Sequence, residues 1–263
     1  MKRRVLITGT TSGIGQGLMK HYYDQSWEIT AVNRRQDRDL ESRFPGVQFK
    51  TFDVRDLEAV RSYFKEASEK GELPELYYLN AGINKVDCLE MFSVDVFREV
   101  LEINLMGVLT FIDAAFPYLR RRQATFVATS STSNIFPNPN NLAYYISKTA
   151  ESKIFRLLDR RFRLNGLRFK TVILGPVATN IFAGGALNSK LQTRIRDFLT
   201  VSVEKAVPAI TRFVSSQKEV LYYPKIAVFV FLLAAFLQKL FPGLYKGSVS
   251  ASLPLSKSPV GKV

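Results

Sequence analysis

Cysteine and histidine are scarce in this chain of 263 residues, which contains one of each, Cys88 and His21. A single cysteine excludes a disulfide within the chain, and such a chain suits a reducing compartment. One histidine and one cysteine are too few for a His/Cys zinc site, so we expect no metal. The composition is that of a globular protein, with 46% hydrophobic and 23% charged residues. A chain of this length buries enough surface to hold a core without covalent staples.

Apolar runs long enough to cross a bilayer are also missing. The N-terminus MKRRVLITG starts like a secretory signal, but its apolar run ends at Ile7, short of the roughly 7–15 apolar residues that such a signal needs. We therefore expect a first strand at 4–8 in a cytoplasmic protein. The run Ile226–Leu237 has twelve residues without a polar side chain, against about 20 for a spanning helix. Even when extended to 226–241 it includes Gln238 and Lys239.

Acidic residues are outnumbered by basic ones, 23 to 37, which gives a formal net charge of +14. Such an excess is compatible with nucleic acid, with an anionic membrane surface, or with a solvated basic face that meets anionic ligands. No nucleic-acid-binding motif accompanies the charge, so we expect no nucleic acid partner. The solvated face is the favoured interpretation, with peripheral membrane association second.

Short apolar segments alternate with helical ones along the first two thirds of the chain. Such alternation predicts parallel strands joined by right-handed crossovers, in a doubly wound, three-layer α/β/α sheet of the Rossmann type that binds its ligand at the carboxyl ends of the strands. We expect a single catalytic domain over 1–223 with a substrate lid at 180–200, an apolar helical appendage at 224–247 and a flexible tail at 248–263. Strands are predicted at 4–8, 28–32, 47–52, 76–79, 124–129, 168–174 and 220–223, and helices from the glycine-rich turn to about Gln25, at 57–68, at 94–119 and at 143–162.

A glycine-rich segment, Thr8-Gly-Thr-Thr-Ser-Gly-Ile-Gly15, joins the first predicted strand to the first helix. Glycines let the backbone approach a pyrophosphate, and the helix N-terminus offers unpaired N–H groups and a partial positive charge. A plain strand-to-helix turn would have the same composition, so the loop is weak evidence by itself.

The second predicted strand ends in Asn33-Arg34-Arg35. An acidic residue here would bind the ribose 2′-hydroxyl of NAD, whereas an arginine accommodates the 2′-phosphate of NADP. Asn33 stands where the acid would be, and guanidinium groups suit a phosphate. This favours NADP(H) over NAD(H); the alternative is that both arginines are solvated loop residues.

Tyr144 and Lys148 are four residues apart on a predicted helix and therefore share one face. A free tyrosine has a pKa of about 10, and a neighbouring ammonium lowers it towards the range useful for acid/base work. Ser131, at the end of the fifth strand, is placed to donate a hydrogen bond to a substrate oxygen. Tyr145 is a rival phenol but has Thr149, not lysine, four residues on. Ser130 and Ser133 are rival hydroxyls.

Together these residues resemble the short-chain dehydrogenase/reductase family over about 4–179. The glycine segment matches the family's T-G-x-x-x-G-x-G, and Ser131, Tyr144 and Lys148 match its S…Y-x-x-x-K set, with the usual gap of thirteen from serine to tyrosine. The resemblance implies an asparagine in the catalytic set as well, at Asn104, which kinks its helix and helps a water reach the lysine. It also implies that Lys148 binds the nicotinamide ribose.

The same resemblance assigns further cofactor contacts. Asp53-Val54 matches the pair that meets adenine, Asn80-Ala81-Gly82 matches the N-A-G after the fourth strand, and Gly175-Pro-Val-Ala-Thr179 matches the segment that holds the nicotinamide carboxamide. Many members have P-G where this chain has Leu174-Gly175-Pro176, a mild departure. The predicted cofactor-binding residues are Gly9, Thr11, Ser12, Gly13, Ile14, Gly15, Arg34, Arg35, Asp53, Val54, Asn80, Ala81, Gly82, Tyr144, Lys148, Pro176, Val177 and Thr179.

The last third of the chain points to an apolar substrate. The proposed lid begins with an apolar stretch and has Gly184 and Gly185 as hinge candidates, although a surface loop with apolar anchors is the alternative. The apolar residues of this stretch are Ile181, Phe182, Ala183, Ala186 and Leu187. The run Ile226–Leu237 must be covered by the fold, another subunit or a membrane. Lys225, Lys239 and Lys246 flank it, as an interfacial anchor on anionic lipid over 225–246 requires.

We therefore predict an NADP(H)-dependent oxidoreductase that interconverts a carbonyl and an alcohol on a lipid, steroid-like or acyl-chain substrate, with Tyr144 as acid/base. A homodimer or homotetramer is expected. The alternative function is a regulator that senses NADP(H) without turnover, and the intact Ser, Tyr and Lys set argues against it.

Overall fold

Seven parallel strands form a single sheet in the order β3-β2-β1-β4-β5-β6-β7. The computed structural model describes residues 2–85, 92–120, 122–135, 141–179, 181 and 190–240. The strand order reverses between β1 and β4, which creates a crevice at the carboxyl ends of these two strands. The strands are β1 Arg4–Thr8, β2 Glu28–Asn33, β3 Gln48–Thr51, β4 Leu76–Leu79, β5 Ala124–Ser131, β6 Leu167–Leu174 and β7 Val220–Tyr223. The predicted doubly wound sheet is confirmed.

The fifth strand is two residues longer than the sequence predicts. Ser130 pairs with Ile173, and Ser131 pairs with Leu174, at the end of the long β5–β6 ladder. A run of small hydroxyl residues looks like a loop in the sequence, but here it is held in the sheet by its neighbour. The extension places Ser131 at the carboxyl edge of the sheet, where ligands of such folds bind.

Helices cover both faces of the sheet. They are α1 Gly13–Asp24, α2 Arg38–Arg43, α3 Leu57–Glu69, α4 Val94–Leu101, α5 Gly107–Leu119, α6 Leu142–Phe162, α7 Lys190–Leu199, α8 Val203–Val214 and α9 Lys225–Leu240. The sequence pattern does not predict α2, α7 or α8. In α8 the interior Pro208 removes a backbone hydrogen bond and argues against a helix. The helix forms because it buries Val207, Ile210 and Phe213 in the core.

The long helix predicted at 94–119 is interrupted. A π-helical turn, Glu102–Met106, separates α4 from α5, and such turns occur often at functional sites. Asn104 lies within this turn and is fully buried. The described residues contain one helical stretch, Val94–Leu119, with the length and hydropathy of a membrane span; half of it is buried inside the fold, as in a core helix.

Two hydrophobic clusters form the core, one on each face of the sheet. On the face that carries α3, α5 and α6, three aromatic rings stack across neighbouring strands. The ring centroids of Tyr77 and Phe126 are 4.7 Å apart, and those of Phe126 and Phe169 are 5.0 Å apart. Aromatic side chains bury large areas and stabilise such contacts. This core fixes β4, β5 and β6 rigidly beneath the residues that follow them.

The apolar run Ile226–Leu237 is helical and belongs to α9. Ala227 and Val228 are buried, and an added Cβ on Gly175 would lie 2.8 Å from the Ala227 Cβ, so the start of α9 packs closely on the segment after β6. The opposite face carries large apolar side chains that are 39–63% exposed: Ile226, Phe229, Leu232, Leu233, Phe236, Leu237 and Leu240. Of the predicted lid, appendage and tail, residues 180, 182–189 and 241–263 lie outside the described residues.

Candidate functional site

The glycine-rich segment forms the turn from β1 into α1. Gly9 and Gly13 have φ of +73° and +58°, a backbone conformation in which side chains are strained. An added Cβ on Gly15 would lie 2.0 Å from the Gly9 carbonyl oxygen. The turn therefore requires glycine at these three predicted positions and exposes the N-terminus of α1, where Thr11 and Ser12 are exposed.

Polar side chains hold this turn against the ends of β2 and β4. The Asn33 Oδ1 accepts a 2.8 Å hydrogen bond from the Thr10 N–H, so Asn33 is buried and braces the turn. The Thr8 Oγ1 accepts hydrogen bonds of 2.9 Å from the backbone N–H groups of Asn80 and Ala81. The Asn80 side chain donates to the Thr8 and Gly9 carbonyls. The N-A-G segment and the glycine turn are thus one rigid unit.

An open cavity of about 660 Å³ lies beside this unit. It contains most of the predicted adenine-side residues, and its lining consists of Gly9, Thr11, Val32, Asn33, Arg34, Arg35, Gln36, Asp37, Arg38, Asp53, Val54, Ala81, Gly82, Ile83 and Ile103. Arg34 and Arg35 are exposed. The Asp53 carboxylate accepts two hydrogen bonds of 2.9 Å from Arg55, and this contact keeps its pKa below the usual value. The cavity therefore has a basic rim around a carboxylate that stays ionised.

Tyr144 and Ser131 meet at the carboxyl edge of the sheet. Ser131 ends β5, Tyr144 lies in the first turn of α6, and their side chains are hydrogen-bonded. The Ser131 Oγ also accepts a 3.1 Å hydrogen bond from the Ser133 N–H. The sequence predicts that Lys148 lowers the pKa of Tyr144. In the protein alone this pKa lies above its ordinary value because the phenol is buried; the hydrogen bond with Ser131 acts in the opposite direction.

Lys148 is buried one turn further along α6. Its Nζ donates to the Thr129 carbonyl at 2.7 Å and to the Glu151 Oε2 at 3.1 Å. An added Cβ on Gly82, a cavity residue, would lie 3.8 Å from the same Nζ. The ammonium is thus fixed at the border of the cavity.

Asn104 joins the π-helical turn to this group. Its Oδ1 accepts a 2.8 Å hydrogen bond from the Ile83 N–H, and its Nδ2 donates to the Ile83 carbonyl at 2.8 Å and to the Ser147 Oγ at 3.2 Å. It therefore connects the loop after β4 with the helix that carries Tyr144 and Lys148. The structure brings all four predicted catalytic residues to one sheet edge.

The segment after β6 closes the other side of the crevice. The Pro176 carbonyl accepts a 3.0 Å hydrogen bond from the Val201 N–H, and Val177 forms a β-bridge with Val201. An added Cβ on Gly13 would lie 3.0 Å from the Thr179 Cγ2, so Thr179 touches the glycine turn. Thr179 therefore contacts the cradle, and Pro176 and Val177 are held beside it through Val201. Of the predicted lid 180–200, residues 180 and 182–189 lie outside the described residues.

A family model described as short chain dehydrogenase matches residues 3–188. The chain belongs to this family. Its members are oxidoreductases, and the predicted resemblance is confirmed.

Two curated relatives of this short-chain dehydrogenase have different named substrates. The present chain is 26% identical to L-fucose dehydrogenase of Oryctolagus cuniculus, over 68% of this chain and 64% of that enzyme. It is 33% identical to 11-beta-hydroxysteroid dehydrogenase A of Sesamum indicum over 60% of this chain and 48% of that enzyme. The chain thus spans about half to two thirds of these relatives.

Two solved structures share the fold of this short-chain dehydrogenase. A short-chain dehydrogenase from Burkholderia cenocepacia in complex with NADP matches with a TM-score of 0.77 and 21% identity, covering 93% of this chain and 98% of that one. A 4-hydroxyisoleucine dehydrogenase complexed with NADH matches with a TM-score of 0.72 and 18% identity, covering 84% and 96%. One of these neighbours is thus a complex with NADP and the other a complex with NADH.

Glu151 is a residue of this site that the sequence pattern does not predict. It lies three residues after Lys148 on α6, is 1% exposed and shares an ion pair with that lysine. An i, i+3 acid-base pair in a sequence is typical of a solvated helix face. The signal that could have found it is its place on the buried face of α6, together with Tyr144 and Lys148.

Proposed function

We propose that this short-chain dehydrogenase is an NADP(H)-dependent oxidoreductase that interconverts a carbonyl and an alcohol on an apolar substrate, with Tyr144 as the acid/base. The observation that carries the proposal is the meeting of Tyr144, Ser131 and Lys148 at the sheet edge beside the glycine-lined cavity. A phenol, a hydroxyl and an ammonium in this arrangement suit proton transfer to a developing alkoxide.

The residues present fit a nicotinamide dinucleotide. The cradle at Gly9, Gly13 and Gly15 has no room for side chains, so a pyrophosphate can approach the backbone at the N-terminus of α1. We assign the adenine side to Asp53 and Val54, and the nicotinamide side to Asn80, Ala81, Gly82, Pro176, Val177 and Thr179. Such a cofactor supplies or accepts the hydride.

The chain's own residues would handle the proton. In the reducing direction Ser131 donates a hydrogen bond to the substrate oxygen, and Tyr144 protonates that oxygen as it becomes an alkoxide. Burial raises the pKa of Tyr144, which keeps the phenol protonated and ready to donate at neutral pH. In the oxidising direction the phenolate must form, and the Lys148 ammonium favours it. Asn104 fixes the position of α6 relative to the loop after β4, through its hydrogen bonds with Ser147 and Ile83, and so supports this proton relay.

Arg34 and Arg35 support the assignment of NADP(H), because both line the cavity and are exposed at its rim. A hydrogen bond to a charged group contributes about 1.5–3 kcal/mol, so we expect Arg34→Ala/Arg35→Ala to reduce the preference for NADPH over NADH by about 10- to 100-fold. The measurement is the ratio of kcat/KM for the two coenzymes, with their Kd values. Arg61→Ala, on the surface of α3, is the matched control. A wild-type preference for NADH would remove the assignment.

Apolar side chains beside Tyr144 favour an apolar substrate. Ile83, Phe97 and Ile181 pack against the small buried cluster of Val100, Ala143 and Tyr144. A substrate oxygen at Tyr144 would therefore lie next to an apolar wall, which is the usual construction of a small-molecule site. The test is NADPH oxidation with a panel of ketones graded by chain length and ring size; activity confined to sugars would contradict this substrate class.

The exposed face of α9 supports peripheral association with an anionic membrane. Six of its seven apolar side chains lie between Lys225 and Lys239, and Leu240 follows Lys239; both lysines are exposed, in a chain of net charge +14. The helix starts beside Gly175 and also contacts the turn Thr132–Asn134, which follows Ser131. A lipid surface on this face would deliver an apolar substrate close to the catalytic residues.

Charge placed on this face should abolish membrane binding. We expect Phe229→Glu/Phe236→Glu to reduce cosedimentation with vesicles containing phosphatidylserine at least tenfold, because burying carboxylates in the lipid interface is costly. Leu164→Glu, at a residue 98% exposed elsewhere, is the control. If the wild type does not cosediment with these vesicles, and if it is a dimer that becomes a monomer in the double variant, the face is a subunit contact.

A further inference from the structure

Glu151 is an ionisable group in the site to which the proton transfer above gives no role. Its side chain has no solvent exposure. Its Oε2 accepts the hydrogen bond from the Lys148 Nζ, while its Oε1 has no hydrogen-bond partner among the described residues. A buried carboxylate that contributes only to stability normally satisfies both oxygens. Asp159, on the same helix, does so with Arg163, Arg168 and the Phe169 N–H.

The ion pair changes what Lys148 can do. The catalytic use of a buried ammonium is its electrostatic effect on the neighbouring phenol. A carboxylate 3.1 Å from the Nζ offsets that effect, and in a site of low dielectric constant the offset is large. When the carboxyl is protonated, it keeps the hydrogen bond to Lys148 but no longer cancels the charge.

The Glu151 carboxyl is placed to switch between these states near neutral pH. Burial raises the pKa of Glu151 to about 7, and the Lys148 ammonium acts in the opposite direction. The β5 groups bonded to this part of α6 are Thr129 and Ser130, which do not ionise in this range. The other ionisable side chains on elements packed against α6 have partners other than Glu151. These pairs are Asp95 with Arg98, Glu99 with Lys85, Glu102 with Arg55, Arg163 with Asp159 and Glu219, Arg168 with Asp159, and Lys170 with the carbonyls of Phe213, Ser216 and Lys218.

We propose that Glu151 is a positioning residue of the catalytic set, which anchors Lys148 and sets how much of the ammonium's charge reaches Tyr144. Ionised Glu151 raises the pKa of Tyr144 and keeps the phenol protonated, which favours carbonyl reduction. Protonated Glu151 frees the charge of Lys148 and favours the phenolate. The inference rests on the proposed function of Tyr144 and Lys148.

The decisive variant is Glu151→Gln, which keeps the shape and the hydrogen bond to Lys148 but cannot ionise. Alcohol oxidation requires the phenolate, so its rate rises with pH through the pKa of Tyr144. We expect the rising limb of kcat/KM to move to lower pH by about one unit in the variant. Asp159→Asn is the matched control: it removes another buried carboxylate from α6 and should lower the Tm without moving the limb.

A second measurement does not depend on turnover. The near-ultraviolet absorbance of tyrosinate is measured against pH in the wild type and in Glu151→Gln. The same titration is run with each protein carrying Tyr144→Phe in addition. Subtracting the second curve from the first leaves the ionisation of Tyr144. Tyr144 should ionise at lower pH in Glu151→Gln than in the wild type. If Glu151→Gln shifts neither the pH dependence of kcat/KM nor the ionisation of Tyr144 relative to the wild type, Glu151 is only structural. A shifted titration in an enzyme that turns over no alcohol would support Glu151 and contradict the proposed reaction.

Discussion

Replacing Tyr144 with Phe is expected to lower kcat/KM for carbonyl reduction by about a thousandfold, because general acid catalysis by a positioned side chain contributes factors of this order. The substitution removes one oxygen from a buried side chain and leaves the ring in its apolar surroundings. The Kd for NADPH should stay within about threefold of the wild type, since an exchange that leaves packing intact costs little binding energy. Steady-state kinetics and a fluorescence titration of NADPH measure the two quantities.

Tyr145→Phe is the control for this experiment. It removes a half-buried phenol from the next position of α6 and should leave turnover near the wild-type value. Full activity in Tyr144→Phe, or a loss of activity in Tyr145→Phe alone, would show that Tyr144 is not the acid/base. If Tyr144→Phe has no turnover but still performs the protein's role in cells, the regulator that senses NADP(H) becomes the better account.

Gly15→Ala is expected to weaken coenzyme binding by about a hundredfold. The added Cβ would lie 2.0 Å from the Gly9 carbonyl oxygen and 2.7 Å from the Asn80 Nδ2. Neither atom can withdraw easily, because both belong to the hydrogen-bonded unit formed by the glycine turn and the N-A-G segment. Overpacking of this kind costs roughly 1–3 kcal/mol, and the turn it displaces is the proposed pyrophosphate cradle. Calorimetric titration with NADPH measures the effect.

Gly46→Ala separates a local effect on binding from a loss of stability. Gly46 has a φ of +89°, and an added Cβ would meet nothing within 4 Å. This variant should lower the Tm, because a side chain in this conformation costs roughly 1–2 kcal/mol, and should leave the coenzyme Kd unchanged. If Gly15→Ala binds NADPH as tightly as Gly46→Ala does, the pyrophosphate is not held at this turn.

The sequence predicts the fold and the main residues of the site because both depend on local patterns. Strand and helix periods alternate visibly, and this alternation predicts parallel strands joined by right-handed crossovers. The glycine turn, Ser131, Tyr144 and Lys148 are recognised by spacing, and the sheet then brings them to one edge. The pattern predicts a strand at 124–129, and only the ladder with β6 shows that Ser130 and Ser131 continue it.

What the sequence does not predict depends on burial and on contacts between distant segments. Asn33 looks like a residue that faces the ribose, yet its side chain braces Thr10. The family resemblance implies a kink at Asn104, but the continuous apolar pattern of the helix does not show that the kink is a π-helical turn. Glu151 has the spacing of a surface ion pair, and only the packing of α6 against the sheet shows that its charge is buried next to Lys148. The chemistry of Lys148 therefore depends on a neighbour that no motif contains.

The most direct test of the proposed reaction follows the hydride itself. The protein is incubated with NADPH deuterated at the nicotinamide C4 and with apolar ketones, and the alcohols formed are examined by mass spectrometry. Deuterium should appear on the former carbonyl carbon with the wild type and be lost with Tyr144→Phe. Tight binding of NADPH without deuterium transfer to any ketone in the panel, or equal transfer by Tyr144→Phe, would contradict the account.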